Sequence, residues 1–202
     1  MVAALSLGIL SSFFGFAAPG MLNITASKIS VDYNKNKAFK FVLAVSLVTV
    51  LQSLIAIYLV KVSTESSDIL SVIQKFSIAI FIILSFYFFR KSYQDHKQTT
   101  QNNKVRKPFL YGLILASANM FAIPFFYGVF LLYASKNSFF NKAGDLAFLV
   151  LGVLVGFHLI FGSYVILASK MRSKIARISK YLNLVLASLT GLIAIVSLVK
   201  LL

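Results

Sequence analysis

Six stretches of this chain run without a charged residue: 1–27, 41–60, 76–89, 108–135, 146–169 and 181–199. A helix needs about 20 apolar residues, at roughly 1.5 Å each, to cross the hydrocarbon core of a bilayer. Five of the runs reach that length or fall within a residue of it. The third, 76–89, spans only if it takes in residues 69–74 and lets Lys75 snorkel its ammonium to the interface. In 202 residues, 59% of them hydrophobic and 12% charged, this leaves room for six membrane helices and little else. A mean hydropathy of +0.87 agrees. A water-soluble fold is excluded, and the expected class is an all-α integral membrane protein.

A formal net charge of +15 would suggest nucleic acid in a soluble protein. Here 15 of the 20 basic residues fall in the odd-numbered loops and 5 on the opposite side. By the positive-inside rule, loops 26–40, 90–107 and 170–180 face the cytoplasm and both termini lie outside, in a multi-pass membrane protein. Membrane lipid is the expected partner, a homo-oligomer is compatible with this plan, and no nucleic acid is expected. With no cysteine, disulfides, thiol redox chemistry and thiolate metal sites are ruled out. A cleaved signal peptide is not expected, because no Lys or Arg precedes the first run and its removal would leave five spans.

Residues 90–107 form the longest polar segment and divide the chain into a first three-helix repeat, 1–89, a basic linker, and a second three-helix repeat, 108–202. Three spans on each side enter the membrane from opposite faces, which is the inverted-topology plan of many secondary transporters. Pro19 and Pro124 interrupt the first and fourth runs 105 residues apart, while Pro108 stands at a helix start, where its missing N–H is harmless. An interior proline frees the carbonyl four residues earlier, of Gly15 or of Met120, at about 3 kcal/mol in water. Lipid cannot repair that loss, so interrupted helices at matching places in two halves point to a transport site. Proline is also simply frequent in membrane helices, where it kinks them without function.

No charged side chain lies deep in a span. Asp32, Glu65, Asp68, Asp95 and Asp145 all fall in loops or at helix ends, which excludes carboxylate-based ion coupling at the midplane. The polar groups that remain at depth are Asn23 and Thr25 after the first break, Thr49, Gln52 and Ser53 in the second span, Asn119 before the second break, and His158 in the fifth span. Thr49, Gln52 and Ser53 share one helix face, so they either line a cavity or join helices. An imidazole ordinarily titrates near pH 6.5, which makes His158 the candidate for proton coupling or anion binding; the plainer role is a neutral ring bonded to a neighbouring helix. Gly152 and Gly156 form a GxxxG spacing that reads as packing. Tyr58, Tyr87, Tyr111, Tyr133, Tyr164 and Tyr181 lie towards span ends and read as interface belts.

The segment Phe16-Ala17-Ala18-Pro19-Gly20, followed by a basic loop, resembles the LysE/RhtB family of amino-acid exporters, in which a P-G-P-like motif closes the first helix. Gly112-Leu113-Ile114 with Asn119 is similar to that family's glycine followed by an Asn-Pro-Lys segment. Val150-Leu151-Gly152-Val153, Ser163-Tyr164, Leu182-Asn183 and Ala187-Ser188-Leu189 are similar to family members too, so the resemblance covers most of the chain. Departures mark a divergent branch. Met21 stands at the third P-G-P position, Asn119-Met120-Phe121 replaces Asn-Pro-Lys with the proline at 124, Ala38, Ala44 and Val48 replace glycines, and Thr49 stands where many members carry an acid.

The resemblance implies a secondary transporter that exports a small polar solute, foremost an amino acid or derivative, across the bacterial cytoplasmic (inner) membrane by alternating access, at a site between the two repeats, as one repeat rocks on the other. No cofactor is implied. The expected solute-binding set is Gly15, Pro19, Gly20, Asn23, Thr49, Gln52, Asn119 and Pro124, with His158 as proton-coupling candidate. A membrane scaffold or assembly subunit would use the same six helices. An intramembrane enzyme or electron carrier is disfavoured by the absence of HExxH, of an internal aspartate pair, and of a second internal histidine, since His96 lies in the linker. A metal-ion exporter would need soft or anionic ligands at depth, so no metal is expected.

Overall fold

The computed structural model describes residues 1–17, 20–65, 105–119, 121–134 and 143–170, with further helical positions at 79, 82–83, 85–86, 89–90, 188, 191–192 and 195. Residues 69–78 of the expected third span, 91–104 of the expected linker, 171–180 of the expected third basic loop and most of the sixth run lie outside the described residues. So do Ala18, Pro19 and Met120. Among the described residues every regular element is helical: α1 (Val2–Ala17), α2 (Met21–Asp32), α3 (Lys35–Glu65), α4 (Pro108–Ser117), α5 (Ala122–Ala134) and α6 (Ala143–Ile166).

α3 and α6 are each long and apolar enough to cross a bilayer, and α1 with α2 and α4 with α5 bring the number to four if each bent pair is one span. The bends measure 76° and 59°. The helical positions of the third and sixth runs meet, since a Cβ added at Gly191 would stand 2.9 Å from the Ser85 hydroxyl.

The expected basic loop 26–40 is instead almost entirely helix. α2 continues to Asp32 and α3 begins at Lys35, leaving Tyr33 and Asn34 as the connection. Asn34 makes this tight turn possible, because its side-chain oxygen accepts the backbone N–H of Lys37 at 2.8 Å and caps α3. The Lys37 ammonium sits 4.7 Å over the Tyr33 ring, and the Tyr33 hydroxyl accepts the Val105 backbone N–H at 2.8 Å. That last bond fastens the end of the linker beside the α2–α3 turn, just before Pro108 opens α4 in its first position.

α1 and α6 lie parallel and form the most extensively packed pair. Their backbones approach through glycine. A side chain at Gly8 would overlap the backbone of Leu149 and Val153, one at Gly152 the Leu5 carbonyl, and one at Gly156 the Ile9 carbonyl and Ser12 hydroxyl. The GxxxG spacing of α6 is therefore a packing face, as expected from small residues in membrane helices. At the start of the pair, the Met1 amino group forms an ion pair with Asp145. α3 and α4 form a second parallel pair, with Gly112 against the Phe41 carbonyl at 2.7 Å and the Ala44 Cβ at 2.9 Å from an added Cβ. α5 also packs on α3, where the Ser63 and Tyr127 hydroxyls lie 3.1 Å apart.

Candidate functional site

A helix that stops inside a membrane strands its last carbonyls, and hydrocarbon supplies no donor to replace the missing backbone partner. Both breaks are met with side chains. At the end of α1, the Asn23 amide donates to the Phe16 carbonyl at 2.6 Å and the Tyr164 hydroxyl donates to the Ala17 carbonyl at 2.8 Å. Asn23 and Tyr164 are also hydrogen-bonded to each other. At the end of α4, the Gln52 amide nitrogen donates to the carbonyls of Ala116 and Asn119, at 3.2 and 3.1 Å. The first break is thus capped by a side chain of α6 and the second by a side chain of α3.

α2 returns the favour to α6. Ser27 donates to the Tyr164 carbonyl at 3.2 Å and Ser30 to the Val165 carbonyl at 2.8 Å, two of the carbonyls that the end of α6 leaves open. The chain after the first break restarts at Gly20, in extended conformation with φ −82° and ψ −179° and without a side chain to cap α2.

The second break lies earlier than Pro124 implied. Ala118–Phe121 separate the two helices and Pro124 is the third residue of α5, where Phe125 makes the first intrahelical bond, to the Phe121 carbonyl at 3.1 Å. The proline occupies a helix start, where its missing N–H interrupts no ladder; the bend falls before it, where Ala118, Asn119 and Phe121 stand outside both helices. Pro19 and the Met120 carbonyl lie outside the described residues.

The two broken spans touch each other close to their breaks. The Phe125 ring fills the space where a side chain on Gly15 would be, and Phe16 and Phe126 face each other with ring centroids 6.4 Å apart. Around them Phe16 packs edge-on against Phe157 and Phe161, at 5.2 and 5.7 Å. Among the described residues no charged side chain is buried except Asp145, which lies beside Met1 at the opposite end of α1. Among the described residues the surroundings of the breaks are amide, hydroxyl and aromatic.

The expected site residues separate into groups. Gly15, Gly20, Asn23, Gln52 and Asn119 are gathered at the breaks. Asn23 and Gln52 are buried and committed to backbone carbonyls, whereas the half-buried Asn119 side chain makes no hydrogen bond among the described residues. Thr49 and Ser53 are buried but bond within their own helix, to the carbonyls of Val45 and Val50 at 2.9 and 2.8 Å. His158 is not brought to the breaks. It is exposed on the face of α6 that carries Leu151, Val155 and Leu159, and its Nδ1 lies 2.9 Å from the Leu154 carbonyl of its own helix.

Sequence reasoning placed Tyr164 in an interface belt, yet it is 5% exposed and caps the first break. Its position near a span end carried no sign of this role. Phe125, Ser27 and Ser30 were also missed; the two serines stand three residues apart on α2, a spacing that marks one helix face.

A family model described as LysE type translocator matches residues 13–201. No curated protein and no solved structure matches the chain.

Proposed function

The chain belongs to the LysE type translocator family, membrane exporters of amino acids or related solutes, and we propose that it carries a zwitterionic amino acid or close derivative outward across the bacterial cytoplasmic membrane. Access alternates at a site between the two breaks, and no cofactor takes part. The observation that carries this reading is the crosswise capping of two broken spans, Tyr164 of α6 on Ala17 and Gln52 of α3 on Ala116 and Asn119.

The same exchange supports an inverted repeat of 1–89 and 108–202 about the linker 90–107. In it α1–α2 corresponds to α4–α5, α3 to α6, and the third span to the sixth. Two contacts then have counterparts at a nearly constant offset: Gly8 packs on α6 as Gly112 packs on α3, and Ser85 meets Gly191, its own counterpart. With both termini outside, the basic turn at Tyr33–Asn34 faces the cytoplasm.

Within the site we assign the solute to Asn119, the amide left uncommitted, and to the backbone around Gly15, Pro19, Gly20 and Pro124. Helix ends supply partial charges for the ammonium and carboxylate. Asn23 and Gln52 shape the breaks, Thr49 stands behind Gln52, and His158 lies apart from the site. The test is efflux of a labelled amino-acid mixture from proteoliposomes. Wild-type protein is expected to accelerate loss of neutral amino acids, and Asn119→Ala to lose that activity at least tenfold while remaining folded. Folded wild-type protein that moves no amino acid would overturn the proposal.

A further inference from the structure

We infer that Phe125 is a positioning residue of transport, because its ring, seated in the notch at Gly15, is the contact through which two bundles, α1–α2–α6 and α3–α4–α5, close on one another at the breaks. The inference rests on the transport reading above and adds to it which bodies move. They are not the first and second halves of the chain, as a rocking repeat would have it.

Directional bonds define the bundles. Tyr164 to Ala17, Asn23 to Phe16, Ser27 to the Tyr164 carbonyl and Ser30 to the Val165 carbonyl all lie within α1–α2–α6. Gln52 to Ala116 and Asn119, and the Ser63–Tyr127 pair, all lie within α3–α4–α5. The glycine approaches that bring one helix against another's backbone obey the same division, Gly8, Gly152 and Gly156 in the first bundle and Gly112 in the second. Each of these would have to break, in a medium without water to replace it, if α1 left α6 or α4 left α3.

Apart from the Tyr33–Val105 bond at the turn that joins α2 to α3, the seam between bundles is of another kind. α3 lies against α2 and α6, and α1 meets α5 through Phe125 on Gly15 and the Phe16–Phe126 ring pair. Dispersion contacts of this sort are individually weak and carry no directional bond that must be broken. Phe125 is half-buried, flanked by the Phe121 and Phe126 rings at 6.1 and 5.6 Å. It follows Pro124 in the first turn of α5, so its ring swings with any change in the 59° bend. Seated, the ring stands between the two breaks; withdrawn, it opens one to the other.

The natural chain has no cysteine, so labels and cross-links can be placed without removing any. Leu10, Leu51 and Leu159 are all exposed. Spin labels at Leu10 and Leu51 share a half but not a bundle, and labels at Leu10 and Leu159 share a bundle but not a half. Pulsed-resonance distances, recorded with and without a labelled amino-acid mixture, should show two populations for Leu10–Leu51 and one narrow population for Leu10–Leu159. The reverse pattern, or one unchanging distance for both pairs, overturns the inference.

The functional arm uses Gly15→Cys with Phe125→Cys, in which loss of the ring makes room for the new side chain. Oxidation should lower efflux at least tenfold relative to the same protein reduced, whose own rate already stands below wild type for want of the ring, while oxidation of Ser63→Cys with Tyr127→Cys should change efflux less than twofold. Phe125→Leu should lower the maximal rate more than it raises KM, and Phe125→Tyr should recover most of that rate. Equal efflux from the oxidised and reduced Gly15→Cys, Phe125→Cys protein overturns the role of Phe125. If wild-type protein moves no amino acid while the label distances still divide as expected, the transport reading fails and the bundle assignment stands.

Discussion

The Tyr164 hydroxyl donates to the carbonyl of Ala17, 147 residues earlier in the chain, at 2.8 Å. This bond joins the broken end of α1 to a side chain of α6, and it makes the first break depend on a distant element. Tyr164→Phe keeps the ring and removes the donor. Interhelical hydrogen bonds in membranes are worth about 0.6 kcal/mol on average and up to roughly 2. A loss in that range is expected when unfolding is followed in mixed micelles, and an unchanged unfolding midpoint would show that the carbonyl finds another donor.

Gln52 serves two carbonyls at once. Gln52→Leu preserves approximate volume and strands both acceptors, each at about 1–3 kcal/mol. The variant is expected to lose more stability than Thr49→Val, because the Thr49 hydroxyl bonds only its own helix. The two variants, compared in one detergent titration, decide this; equal losses would mean that Gln52 caps nothing of consequence.

The glycines divide in two. Gly8→Ala and Gly152→Ala force a methyl into the backbone of the facing helix, an overpacking that costs about 1–3 kcal/mol. Gly128 and Gly162 have nothing within 4 Å of an added Cβ, so alanine there should be neutral or stabilising by up to about 1 kcal/mol through helix propensity. Thermal denaturation of the four single variants tests the division.

His158 faces outward, with its Nδ1 beside the Leu154 carbonyl. His158→Leu is expected to leave folding intact and efflux within twofold of wild type at both pH 6 and pH 8. Loss of a pH-dependent component would return the imidazole to the coupling mechanism.

Much of this arrangement was legible in the sequence, and what was not has physical reasons. Pro19 marked the first break well, because α1 stops two residues before it and α2 starts two after. Pro124 marked the second only approximately, since proline is tolerated in a helix's first turn and so stands after the interruption. Gln52 was visible as an amide at depth, but its partner was not, because hydrogen bonds between spans leave no periodicity behind. Tyr164 looked like an interfacial tyrosine, and only the close approach of α1 to α6 turns it inward. The face of His158 could have been read. Gly152 and Gly156 fix the packed side of α6, and six and two residues further on the helix has turned most of the way to the other side.

The parallel packing of α1 on α6 also bears on how the protein is made. The residues that fit each other at this contact, Gly8 and Gly152, emerge far apart in synthesis, and at about 5–20 residues per second the interval is on the order of 7–30 s. Through that interval the first helix waits in the bilayer with Ser11, Ser12 and its glycine face turned to lipid or to the insertion machinery, and with Ala17 lacking the donor that Tyr164 will bring. Assembly of this contact is finished late, by α6, which arrives to complete α1.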